Sequence, residues 1–302
     1  MGPDPPPHTL LGRQLRGVLS WNITDLCNYR CAYCTQRTMV ERTRSLGPIP
    51  SVLAALDRLP GRWEIKLSGG EPFEQPGLVE LCQDLVARGH VISIQTNFSA
   101  PPELVTAFLD ATRGSLHTFS ASLHLDHATP QQFLERRGLL APYEADGLRF
   151  HVTSVATEAR LRELRDHVAP LLARHGVVFK VQPQKVDGYV RPYDEEQRRM
   201  LHELGGHNLT GVISHDFQGR LCHAGSRYLV IKSSGQAYRC YPASRLGGRY
   251  ARLGSLAQGL QLLDGPRICP YPCCNCTVPI DRGMIVGREE PCSSGTSMFV
   301  TR

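Results

Sequence analysis

Six short apolar runs, separated by amphipathic stretches, limit the possible folds of this chain more than any other feature. They are GVLSWNIT (17–24), WEIKLS (63–68), VISIQT (91–96), LHTFSAS (116–122), LRFHVTSV (148–155) and VVFKVQ (177–182). Between them, stretches such as GLVELCQDLVARG and EARLRELRDHVAPLLARHG carry apolar residues at three- and four-residue steps, the period of a helix with one buried face. Each helical stretch ends near Gly or Pro, which interrupt helices. Strands alternating with helices in this way form a parallel sheet with right-handed crossovers. Six such units predict an α/β fold, a partial (β/α)6 barrel.

The rhythm changes after residue 185. A polar, Gly-rich connection leads to CHAGSRYLVIKSSGQAYRC, where two alternating runs flank Ser-Ser-Gly and predict a β-hairpin. LGSLAQGLQLL reads as a short helix, and the dense ICPYPCCNC follows it. The expected organisation is a disordered, Pro-rich tail over 1–16, a barrel over 17–205, and a small hairpin-plus-helix domain with the C-terminal segment over 206–302. No internal repeat of 20–50 residues is visible.

Composition removes several function classes. No run of eighteen apolar residues is present, so no membrane partner is expected. The N-terminus lacks a basic segment followed by an apolar one, so secretion is not expected and the cytoplasm is. The net charge of +6 is mild, and basic and acidic residues interleave as on solvated helix faces (ARLRELRDH). Nucleic acid is therefore not an expected partner, while the surplus gives a weak preference for an anionic ligand.

Eleven cysteines are the unusual count. An odd number in a long chain without an export signal points to metal binding rather than to a disulfide framework. Cys27, Cys31 and Cys34 form C-x3-C-x2-C directly after the first expected strand. Three thiolates on one loop can hold three irons of a [4Fe–4S] cluster, leaving the fourth open to a small chelating molecule. Zinc is the competing reading. Structural zinc takes four protein ligands, and no fourth Cys or His lies nearby.

WNITDLCNYRCAYCTQ resembles the signature loop of the radical S-adenosylmethionine (SAM) superfamily, including the aromatic Tyr33 before the third cysteine. Ser68-Gly69-Gly70-Glu71-Pro72, at the end of the second expected strand, is similar to that family's GGEP motif. The resemblance covers about 17–184 and implies that the backbone of Gly69, Gly70, Glu71 and Pro72 meets the methionyl amine of SAM. Thr96 and Asn97 end the third strand and Ser122 the fourth, where the family places further SAM contacts; taken singly, each reads first as an ordinary strand-end polar residue, and it is their register with the other motifs that favours function. Phe98 departs from the pattern, since relatives often carry Gly there. The resemblance implies reductive cleavage of SAM, with an electron from a flavodoxin- or ferredoxin-type donor. The resulting 5′-deoxyadenosyl radical abstracts hydrogen from a substrate held in place by the protein.

The second group is similar to the twitch domain, a shortened SPASM domain that holds one auxiliary [4Fe–4S] cluster. The resemblance implies Cys222, Cys240, Cys273 and Cys276 as its ligands, with Cys274 able to replace Cys273; a zinc knuckle is the alternative. Cys82, inside LVELCQDLV, reads as a buried apolar residue. Cys269, Cys274 and Cys292 then remain as spare thiols near the second group. Relatives of this layout act on sugars and aminocyclitols of antibiotics or on ribosomal peptides. Too few residues precede the first strand for a peptide-recognition domain, which favours a carbohydrate-like small molecule. The spare thiols favour redox-neutral epimerisation with Cys269, or else Cys292, donating hydrogen. Alcohol dehydrogenation and peptide modification are the alternative enzyme readings, and a zinc-binding module is the non-enzyme one.

Overall fold

The computed structural model describes residues 8–36, 49–274 and 276–287. Its centre is a ten-stranded sheet. Six strands match the six apolar runs to within one residue: β1 Gly17–Thr24, β2 Trp63–Gly69, β3 Val91–Thr96, β4 Leu116–Ser122, β5 Arg149–Ala156 and β6 Val178–Pro183. All five neighbouring pairs are parallel and follow chain order, as crossover connections require.

Side chains alternate across these strands with period two. Leu19, Trp21, Ile23, Ile65, Leu67 and Phe119 pack into the main apolar core, against helices Ile49–Leu56, Leu78–Ala87 and Pro102–Ala111. Cys82 lies in this core, fully buried on helix Leu78–Ala87, as its sequence position predicts. The opposite face presents Ser20, Lys66, Ser93, Ser120, His151 and Lys180 to a polar lumen. The lumen is therefore a binding space and not a second core.

The second half departs from expectation in three places. Strands β7 Tyr228–Ile231 and β8 Gln236–Tyr238 form the hairpin around Ser-Ser-Gly, but β7 also pairs in parallel with β1, with Leu229 opposite Leu19. The sheet therefore runs across the boundary expected at 205. The segment LGSLAQGLQLL is not a helix. It forms β9 Arg252–Ser255 and β10 Gly259–Leu260, because Gly254 at φ +96 and Gly259 at φ +99 adopt a backbone that suits a tight hairpin rather than a helix. The short helix of this region is Tyr241–Leu246 instead, directly after Cys240. Part of the expected N-terminal tail is also ordered, with His8–Leu10 and Arg13–Leu15 forming a small antiparallel pair.

A buried ion pair lies near the start of β2. Arg282, just after helix Val278–Asp281, donates two hydrogen bonds to the buried Glu64 carboxylate, at 2.8 and 3.1 Å. Burial alone would raise the pKa of Glu64, but Lys66 and Arg282 hold it well below the usual carboxylate range.

Candidate active site

A cavity of about 430 Å³ opens at the C-terminal ends of β1–β6, bounded by the loop after β1 and by the 222–278 region. Cys27, Cys31, Tyr33 and Cys34 line it, together with Gly69, Gly70, Thr96, Asn97 and Ser122. Nine of the residues singled out in the first half of the sequence thus face one space. Glu71 and Pro72 do not. Both are buried behind the wall, and Glu71 is only 1% exposed.

Glu71 ties the cavity rim together. Its Oε1 accepts from Thr96 Oγ1 at 2.6 Å and from the Phe73 amide at 3.2 Å, and its Oε2 accepts from the Asn97 amide at 2.6 Å. Burial nevertheless pushes its pKa up to about 7. The backbone of the same motif holds the cysteine loop, since the Gly70 amide donates to the Thr24 carbonyl and the Glu71 amide to the Leu26 carbonyl. A Cβ on Gly70 would come within 2.0 Å of the Leu26 carbonyl oxygen, so only glycine permits this approach. The Asn97 side chain completes the brace by donating to Asn28, the neighbour of Cys27, at 2.8 Å.

Phe98 occupies the turn where the related pattern has Gly, with φ +57, a left-handed conformation rare for a bulky residue. The Thr96 hydroxyl accepts from its amide at 2.9 Å, and its ring packs against Phe119, Phe133 and the Arg136 guanidinium. Packing thus maintains a turn that glycine would make without strain.

His124 escaped the sequence reading. It continues the inward alternation of Ser120 and Ser122 beyond the end of β4, which was the available signal. Its Nδ1 lies 2.8 Å from the Tyr33 hydroxyl, and burial lowers its pKa to about 4, so the ring is neutral.

The second cysteine group divides in two. Cys222, Cys240, Cys269 and Cys274 are buried in one apolar cluster with Tyr228 and Met284. Cys269 is next to the short pairing of Leu221–Cys222 with Arg267–Ile268 and is absent from the cavity wall. Cys273 and Cys276 line the cavity; Cys276 also packs against the buried cluster, and its Sγ lies 3.4 Å from the Tyr228 hydroxyl. Cys292 lies outside the described residues. Against the buried four sits Arg239, 1% exposed, whose Nε and Nη2 have no hydrogen-bond partner among the described residues. Its charge acts on both Cys222 and Cys240. A buried guanidinium with unused donors beside four thiols is costly unless an anionic group accepts from it.

Among the described residues no three His, Cys, Asp or Glu converge on a point as ligands of a single ion would. A [4Fe–4S] cluster makes no such demand, because each thiolate binds a different iron. Cys27, Cys31 and Cys34, on one braced loop facing one cavity, are a suitable donor set for it.

Residues 21–145 match the family model described as the radical SAM superfamily. That segment matches a radical SAM domain. This implies SAM and a [4Fe–4S] cluster as its cofactors. Curated relatives include GTP 3′,8-cyclases from Pseudomonas fluorescens (32% identity over 99 residues, 31% of this chain and 30% of the relative) and Pseudomonas savastanoi pv. phaseolicola (31% over 134 residues, 42% and 39%). The matches thus span well under half the length of these relatives. Among solved structures, Streptococcus suis SuiB bound to S-adenosylmethionine shares the fold, with TM-score 0.58 and 18% identity over 81% of this chain and 64% of that one. The protein anSMEcpe with bound AdoMet shares it too, with TM-score 0.53 and 16% identity over 80% and 75%. Among the described residues no helix is long and apolar enough to cross a membrane.

Proposed function

We propose that this radical SAM protein is an epimerase of a carbohydrate-like small molecule, with an auxiliary [4Fe–4S] cluster in its C-terminal half. When bound, SAM and the first cluster supply a 5′-deoxyadenosyl radical that removes one hydrogen atom from a substrate carbon. The chain's own residues orient that carbon. Ser, Thr, Asn and Gln side chains along the lumen suit a substrate rich in hydroxyls.

The observation that carries the epimerase reading is Cys276, a thiol on the cavity wall beside Tyr228. Its S–H hydrogen passes to the substrate carbon radical from the face opposite the abstraction. The sulfur radical left behind takes one electron and one proton to restore the thiol. An auxiliary cluster held by Cys222, Cys240, Cys269 and Cys274 would supply that electron, replenished by a flavodoxin- or ferredoxin-type donor. This assignment departs from the sequence-based one in two ways: Cys274 takes the ligand place of Cys273, and Cys269 and Cys276 exchange roles. Cys269, buried with Cys222, Cys240 and Cys274, becomes the fourth auxiliary ligand, and Cys276 becomes the hydrogen donor. The orphaned Nε and Nη2 of Arg239 support the anionic cluster. A dehydrogenase would need no cavity thiol, and the cyclase relatives act on GTP by name but match too small a part of the chain to carry their substrate across.

Metal content tests the exchange without a known substrate. After anaerobic reconstitution, Cys276→Ala should keep the wild-type iron content, and Cys269→Ala should lose the auxiliary share. The reverse pattern would return both residues to their sequence-based roles. Once a substrate is found, the wild-type product formed in deuterated water should carry one deuterium at the inverted carbon, whereas a ketone without solvent deuterium would establish dehydrogenation.

A further inference from the structure

Four basic side chains that the epimerase reading does not use meet on one wall of the cavity. Lys185 comes from the two-residue strand Lys185–Val186, His207 from the loop after helix Glu195–Glu203, Lys232 from the β7–β8 turn and Arg245 from helix Tyr241–Leu246. They form a connected set. Arg245 repels both Lys185 and Lys232, and Lys185 repels a proton from His207. The Arg245 guanidinium also lies against Gly188, where an added Cβ would come within 2.9 Å of Nη1.

Like charges held together in a partly enclosed space destabilise a fold unless something neutralises them. The carboxylates of the same cavity serve poorly. Asp25 accepts from Ser233, Asp187 is exposed on its turn, Asp281 acts on Lys180, and no carboxylate lies within ion-pair distance of Lys232 or Arg245 among the described residues. His207 adds an independent sign. It is 1% exposed, lines the cavity, and its Nδ1 has no hydrogen-bond partner among the described residues. A planar guanidinium fork, two ammonium groups and a neutral imidazole offer the donors that phosphoryl or carboxylate oxygens accept.

We infer that Lys185, His207, Lys232 and Arg245 form a subsite for an anionic oxygen group, phosphoryl or carboxylate, carried by the substrate. The inference rests on the proposed small-molecule reading and narrows its substrate from a neutral sugar to an acidic or phosphorylated one. The anion would anchor one end of the substrate and leave a remote carbon to the radical chemistry. Binding energy far from the reacting bond would thereby set its position.

Calorimetry on the anaerobically reconstituted full chain tests this with sodium pyrophosphate and sodium gluconate, each against sodium chloride at equal ionic strength. Saturable binding of either is expected, and the probe that binds identifies phosphoryl or carboxylate. Binding should weaken by about tenfold or more in Lys185→Gln/Arg245→Gln, the scale of losing charge-assisted hydrogen bonds. It should also weaken in Lys232→Gln, a milder change that guards against misfolding of the double variant. Absence of saturable binding to both probes, or binding unaltered in both variants, overturns the subsite. So does a loss of iron from the variants with no anion binding by the wild type, since the cations would then serve a cluster. If the wild type binds pyrophosphate but does not cleave SAM under dithionite, the functional reading fails and the subsite stands.

Discussion

The Glu71 carboxylate and the Asn97 backbone amide meet at 2.6 Å behind the cavity wall, joining the end of β2 to the end of β3. The side chain of Asn97 then reaches Asn28 in the cysteine loop, so three loops of the rim share one brace. Glu71 itself does not line the cavity. The glutamate acts by holding neighbours that face the cavity.

Glu71→Gln should therefore destabilise the rim. An amide keeps one oxygen acceptor and directs an NH2 at the Thr96 hydroxyl or the Asn97 amide, leaving a buried donor unmatched at about 1–3 kcal/mol. The pH dependence is equally specific. Burial raises the Glu71 pKa from 4.5 to about 7, so the folded chain keeps a proton that the unfolded chain has released. This contribution is fully present below 4.5, falls as pH rises to about 7, and is level above. Thermal unfolding across that window should show the slope in the wild type and a shallower one in Glu71→Gln.

Cys31→Ala should abolish 5′-deoxyadenosine formation from SAM under dithionite, and Cys27→Ala and Cys34→Ala should do the same. The three thiols are the cluster ligands we propose on this loop, and chromatography of the quenched reaction reads the product directly. Substantial cleavage by Cys31→Ala would remove the assignment.

A triple Cys27/Cys31/Cys34→Ala variant should retain roughly four irons, held by the buried thiols of the C-terminal half. A folded but iron-free triple variant would mean that no auxiliary cluster exists.

Arg282→Met should cost about 3–5 kcal/mol, because it removes both Arg282 hydrogen bonds from the buried Glu64 carboxylate and leaves Lys66 to balance its charge. Adding Glu64→Gln should recover part of the loss, since the uncompensated charge disappears. Chemical denaturation of the two variants measures the difference.

Phe98→Gly sets strain against packing. Glycine relieves the left-handed backbone, worth about 1–3 kcal/mol, but deletes a ring packed on Phe119 and Phe133, worth about 3–5 kcal/mol. A net loss of stability is expected, read as a lower unfolding midpoint.

The sequence by itself determined the six parallel strands, because their apolar runs lie between helical patterns and each had to cover one face of the sheet. It also determined the first cysteine loop and its glycine partner motif, since C-x3-C-x2-C and Gly69-Gly70-Glu71 are short-range patterns whose chemistry depends on spacing. Periodicity misled at LGSLAQGLQLL, where Gly254 and Gly259 turn an apparently helical stretch into a hairpin. Only the tertiary structure decided where the thiols within ICPYPCCNC lie. Cys269 and Cys276 are seven residues apart, yet one packs among buried thiols and the other faces the cavity. Spacing cannot separate them, because the direction of each thiol is set by elements distant in the chain: Leu221–Cys222 for Cys269, and Tyr228 on β7 for Cys276. The cationic wall was hidden for the same reason. Lys185, His207, Lys232 and Arg245 belong to four separate segments, and their meeting depends on how β7 and β8 extend the barrel sheet beyond β1.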